Sequence, residues 1–88
     1  MTSILSETDL STLTAAKIVD ARGAACPGPL LEAKKAMGGV AIGEVLELWS
    51  SDSQTKNDVA AWAGKVGHEF LGVAATDGYE RVFVRRAK

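Results

Sequence analysis

One cysteine and one histidine are what this 88-residue sequence offers for chemistry that switches near neutral pH. Cys26 lies in Gly23-Ala24-Ala25-Cys26-Pro27-Gly28-Pro29, a stretch that also holds both prolines of the chain. Proline suits the first helical turn, because its missing N–H would have no partner there and its φ is already helical. Pro27 and Pro29, with Gly28 between them, therefore mark a helix start and put Cys26 at or beside the N-cap. Free backbone N–H groups and the positive end of the helix dipole favour a thiolate at such a position, and the thiolate is the reactive form. The competing reading is a small buried hydrophobe, as free cysteines in small domains often are. The glycine turn before Cys26 and the two first-turn prolines around it favour the reactive thiol.

Other cysteine chemistries find too few residues. A Cys-His enzyme needs a base within reach of the thiol. His68 follows the second helical segment, with nothing in the pattern to bring it to Cys26; a solvated or capping histidine is the expectation. Dithiol exchange within one chain requires a second cysteine. A zinc site requires three or four ligands, so no metal is expected. Gly38, Gly39 and Gly43 lack the Lys-Ser/Thr pair of a phosphate loop. What remains is one activated thiol that can form adducts but cannot complete a reaction alone: a group loaded by one partner and unloaded by another.

The elements that must position this thiol follow from periodicity. Lys17-Ile18-Val19-Asp20 is a short strand, and Ala21–Ala25 turns into the first helix. There Leu30, Ala33 and Met37 form an apolar stripe, with Glu32, Lys34 and Lys35 facing water. Gly38-Gly39 ends the helix, Gly38 as a left-handed C′ residue. Glu44–Ser50 is a second strand, Leu46 and Leu48 on one face and Val45, Glu47 and Trp49 on the other. The mixed second face suggests a sheet covered on a single side. Thr55-Lys56-Asn57-Asp58 has capping-box spacing. It opens a helix to about Val66, with Val59, Trp62, Ala63 and Val66 in one stripe, Trp62 as core and Gly67 as stop. Phe70–Ala75 is a third strand and Tyr79–Arg86 a fourth, joined through the hairpin signal Asp77-Gly78.

The order β-α-β-α-β-β predicts a two-layer α/β (α+β) sandwich: a four-stranded mixed sheet with two helices on one face. The first two strands are expected to be parallel and the last two antiparallel. Residues 1–15, rich in Ser and Thr, are expected to be a flexible extension and residues 16–88 the domain. A net charge of −1 gives no electrostatic reason for non-specific nucleic-acid binding. A lone cysteine suits a reducing compartment. Without an apolar run of spanning length or a signal-peptide pattern, a cytoplasmic protein and no membrane partner are expected.

Asp20-x-Arg22-Gly23-x-x-Cys26-Pro27-x-Pro29, a helix, Gly43-x-x-Leu46 and then Ser51-Asp52 before a second helix resembles the TusA/SirA family of small sulfur carriers, over about Lys17 to Arg86. The resemblance implies that Cys26 holds sulfane sulfur as a persulfide, with Pro27, Gly28 and Pro29 shaping the site. It implies support from Asp20, Arg22 and Asp52. It implies a cysteine desulfurase or rhodanese-type donor, a DsrE-type or other sulfur-relay acceptor, no cofactor, and a monomer working as a sulfurtransferase-type carrier rather than an independent turnover enzyme. The family fold resembles the C-terminal domain of translation initiation factor 3. Members of that family serve sulfur oxidation, tRNA thiolation or molybdenum cofactor synthesis, and the resemblance implies one of these pathways here. Two other readings stay open. One is a non-covalent protein- or RNA-binding module using Trp49, Tyr79, Arg81, Phe83 and Arg85 on the second sheet face. The other is a single-cysteine redox sensor.

Overall fold

A computed structural model of the chain describes residues 15–24 and 28–88; the expected N-terminal extension, apart from its last residue, and Cys26 and Pro27 lie outside the described residues. The elements are β1 (Lys17–Asp20), α1 (Gly28–Met37), β2 (Val45–Ser50), α2 (Thr55–Val66), β3 (Glu69–Thr76) and β4 (Tyr79–Arg85). They follow the expected order. The sheet order is β1-β2-β4-β3, with β1 parallel to β2 and both other pairs antiparallel.

Both helices pack on one face. Ala33 and Met37 of α1 and Val59 and Ala63 of α2 meet Leu46, Leu48, Val82 and Val84 in the main core, with Leu30 and Trp62 partly buried against it. Pro29 is fully buried. Val66, the last member of the α2 stripe, is 40% exposed because the core ends a turn earlier, at Ala63.

The helix ends depart from the expected caps. Gly38 is not left-handed. The carbonyls of Ala36 and Met37 instead accept the Gly39 and Val40 N–H groups (2.9 and 3.1 Å). The Arg86 guanidinium donates to Met37 and Val40 oxygens (3.1 and 2.6 Å), so no αL residue is needed there. At the start of α2 the N-cap is Gln54, with no side-chain cap. The Thr55 hydroxyl is buried against Ser50 Oγ at 2.7 Å. Gly67 does close α2 in the left-handed region, at φ 89°, with its N–H on Ala63 O. Gly67→Ala is expected to lower stability by about 1 kcal/mol in urea denaturation, the cost of a Cβ at that φ.

His68 is tied to the C-terminal tail: its Nδ1 accepts the Ala87 N–H at 3.1 Å, and its ring meets Trp62 edge-on. Burial first, then the Arg86 and Lys88 charges, hold its pKa below 6.5. The unfolded chain therefore binds this proton more readily. The stabilising contribution is full above pH 6.5 and is lost as the pH falls from there through the folded value. Melting temperature should drop on acidification across this window, and drop less in His68→Gln.

The second sheet face is drier than its mixed pattern suggests. Val45, Leu71, Ala74 and Phe83 form a separate buried cluster, and Glu47 is only 3% exposed. The polar groups there satisfy one another. Glu47 accepts from Arg81 Nε and Nη2 (2.8 and 3.3 Å) and from Trp49 Nε1. The Arg81 guanidinium lies over the Phe83 ring at 5.2 Å.

Candidate functional site

Parallel pairing brings the C-terminal ends of β1 and β2 to one end of the sheet. The hairpin of β3 and β4 turns there as well, Glu80 lying opposite Ser50 and Thr76 opposite Tyr79. The chain leaves β1 at Asp20 to enter α1 at Gly28, and leaves β2 at Ser50 to enter α2 at Thr55, so both helices begin at this end. Crevices beyond the carboxyl ends of parallel strands are where α/β folds place their chemistry.

The β1–α1 turn is held at every described residue. Ala21 N–H donates to Trp49 O (2.9 Å) and Ala24 N–H to Ala21 O (3.2 Å). Arg22 N–H and Nε both donate to Asp20 Oδ1 (3.1 and 2.8 Å), and Arg22 Nη2 donates to Asp20 Oδ2 (2.7 Å). Gly23, left-handed at φ 86°, donates its N–H to Ser51 Oγ at 2.9 Å. A methyl built on Gly28 would stand 3.4 Å from Ala24 Cβ. Ala24 and Gly28, which bracket residues 25–27, therefore pack against one another, and Cys26 is the middle residue of the three between them in sequence.

Arg22 does more than pair with Asp20. Its guanidinium stacks on Trp49 and Tyr79, 5.0 and 4.9 Å from the ring centroids, while the two rings lie 5.4 Å apart and tilted. The Arg22 hydrogen bonds hold the Asp20 carboxyl at a pKa of about 2, and Asp20 in turn raises that of Arg22. The pair thus stays fully charged across the physiological range. Trp49 is itself fixed by its indole N–H on buried Glu47.

Asp52 sits at the entry to α2. Its Oδ1 accepts the Gln54 N–H (2.9 Å), its own N–H donates to Ser50 Oγ (3.1 Å), and its carbonyl accepts from Thr55 (3.2 Å). A depression of about 290 Å³ opens beside this loop, lined by Ser50, Ser51, Ser53, Thr76, Tyr79 and Glu80. Of the site residues expected from sequence, Asp20, Arg22, Gly28 and Pro29 lie at this end of the fold, and Asp52 holds the neighbouring loop. Cys26 and Pro27 lie outside the described residues. Ser51, Trp49, Tyr79 and Glu47 carry structural roles that periodicity does not reveal. Of the rings named in the alternative binding-module reading, Trp49 and Tyr79 lie under Arg22 and Phe83 is buried, while Arg81 and Arg85 are paired with Glu47 and Glu69.

Comparison with known proteins gives a consistent picture. The family model described as Sulfurtransferase TusA matches residues 17–86. A candidate sulfur carrier protein of Archaeoglobus fulgidus is 44% identical over 71 residues, covering 81% of this chain and 97% of that protein. A candidate sulfur carrier protein of Bacillus subtilis, YrkF, is 42% identical over 69 residues, covering 78% of this chain but 37% of its own length. The crystal structure of a SirA-like protein from Desulfitobacterium hafniense superposes with a TM-score of 0.71 at 22% identity. It covers 82% of this chain and 99% of its own, which shows the shared fold. Among the described residues, no helix is long and apolar enough to cross a membrane.

Proposed function

Because this chain belongs to the TusA sulfurtransferase family, we propose that it carries sulfane sulfur as a persulfide on Cys26 and relays it between proteins. The observation that supports this most directly is the family match over residues 17–86, which spans the single cysteine and the turn before it. Cys26 precedes the first residue of α1 by two positions. A helix start with free N–H groups favours the thiolate before loading and an anionic adduct afterwards.

The transfer balances without an external oxidant. The Cys26 thiolate attacks the outer sulfur of a donor persulfide; a new S–S bond forms at Cys26, the donor's S–S bond breaks, and the donor leaves as a thiolate. Unloading runs the same exchange toward an acceptor thiolate. The donor is a cysteine desulfurase or a rhodanese-type protein, the acceptor a DsrE-type or other relay protein. The chain works as a monomeric carrier in the reducing cytoplasm, where its thiol stays free for loading. Pro27, Gly28 and Pro29 shape the start of the helix. Asp20, Arg22 and Asp52 hold the two loops around it.

The test is to incubate the reduced chain with a desulfurase and cysteine, or with a rhodanese and thiosulfate, and record its intact mass. A gain of one sulfur atom that dithiothreitol removes is the expected result. No gain from either donor, on a folded chain with a free thiol, overturns the carrier reading.

A further inference from the structure

We propose that Trp49 and Tyr79 are positioning residues for sulfur transfer, acting through Arg22 to hold the turn that precedes Cys26; this rests on the carrier reading. The observations form a connected set of contacts. Buried Glu47 fixes the Trp49 indole, and Trp49 and Tyr79 both lie within stacking distance of Arg22. Arg22 grips Asp20 with two side-chain hydrogen bonds, and the next residue, Gly23, is tied to Ser51. Arg22 has no described carboxylate partner besides Asp20 and lies 45% exposed, so the ion pair alone is a weak restraint in water. Two aromatic rings add the cation–π attraction that a solvated pair lacks. A guanidinium laid over both rings, with its carboxylate partner two residues back, fixes the direction in which the chain leaves β1. That direction matters for transfer because a reacting group misplaced by about an ångström loses rate far out of proportion to any loss of stability.

The arrangement also accounts for residue types that the core does not need. Trp49 and Tyr79 are only partly buried and belong to neither apolar cluster.

The test uses the full chain with Trp49→Leu, Trp49→Phe and Tyr79→Leu, each first checked for a native circular dichroism spectrum. Two measurements follow: amide hydrogen exchange at Gly23 and Ala24, and the initial rate of sulfur uptake from a rhodanese with thiosulfate. In Trp49→Leu and Tyr79→Leu, the Gly23 amide is expected to exchange faster while amides of the β2–β4 ladder keep their protection. Uptake should slow roughly tenfold. Trp49→Phe keeps a ring under Arg22 but loses the bond to Glu47, and is expected to recover most of the uptake rate. A purely structural role for the rings would leave uptake unchanged in a folded variant. Unchanged exchange at Gly23, or loosened exchange with a wild-type uptake rate, overturns the proposal. Failure of the wild-type chain to take up sulfur from any donor overturns the carrier reading, and this role with it, whatever the amides do. Should Trp49→Leu fail to fold, Tyr79→Leu decides both points.

Discussion

A Cys26→Ala chain is expected to take up no sulfur from any donor. The effect is all-or-none because persulfide formation needs a sulfur nucleophile, and this chain has one thiol. Methionine thioethers carry no proton to lose and form no persulfide, so no second residue can substitute. Cys26→Ser should be equally inactive: a hydroxyl is far less acidic than a thiol and cannot form the S–S bond. The measurement is intact mass after incubation with a desulfurase or rhodanese donor, with circular dichroism to establish that the variant has kept its helices and sheet. Sulfur retained on either variant would place the acceptor elsewhere and remove the basis for the carrier role. Complete loss, with a folded chain, ties the chemistry to the loop between β1 and α1.

The largest expected effect on stability is at Glu47. Glu47 is 3% exposed, and its carboxylate serves Arg81 and Trp49 at once. Glu47→Ala leaves a cation and an indole N–H without an acceptor on a dry sheet face, and removing one partner of a buried pair costs more than the pair itself contributes. Arg81 keeps 27% of its side-chain exposure. Water can therefore solvate part of the orphaned charge, and the cost is reduced to about 2–3 kcal/mol from the range for fully buried pairs. For a domain of this size that lowers Tm by on the order of 10 °C. Glu47→Gln keeps an acceptor oxygen but no charge, and should lose about half as much. Calorimetric melts near neutral pH check both. A Glu47→Ala melt within a degree or two of wild type would mean that the ion pair is replaced by water at no net cost.

The fold was readable in the sequence where local signals and tertiary packing agree. The stripe of Leu30, Ala33 and Met37, the alternation of Leu46 and Leu48, and Asp77-Gly78 each fix an element whose buried side is the side that periodicity names. The failures share a cause: groups distant in sequence satisfy a local need. Gly38 looks like a left-handed stop, yet Arg86, 48 residues on, supplies donors to the carbonyls at that helix end. Thr55 looks like a cap, yet its hydroxyl is turned inward to Ser50. Glu47 reads as a solvent-facing residue of an alternating strand, and the cross-strand Arg81 together with the Trp49 indole compensates its burial. At the candidate site, Asp20 and Arg22 were legible only through the resemblance to a family motif, since neither composition nor periodicity singles them out. The rings that Arg22 lies over were legible only as aromatic residues on a sheet, because Trp49 and Tyr79 lie 30 positions apart.

The strand order has a consequence for how the molecule comes into being. Among the described strands the last in chain order, β4, is not at an edge but in the interior of the sheet, between β2 and β3. Until Tyr79–Arg85 has left the ribosome, the β1–β2 pair has no partner on the inner side of β2, and β3 is hydrogen-bonded to nothing in the sheet. Arg86, which closes the end of α1, emerges later still. A nascent chain cannot therefore assemble this sheet progressively from its N-terminus. Assembly waits for Tyr79–Arg86 and then completes as one event, so that truncation before β4 should abolish the fold rather than trim it.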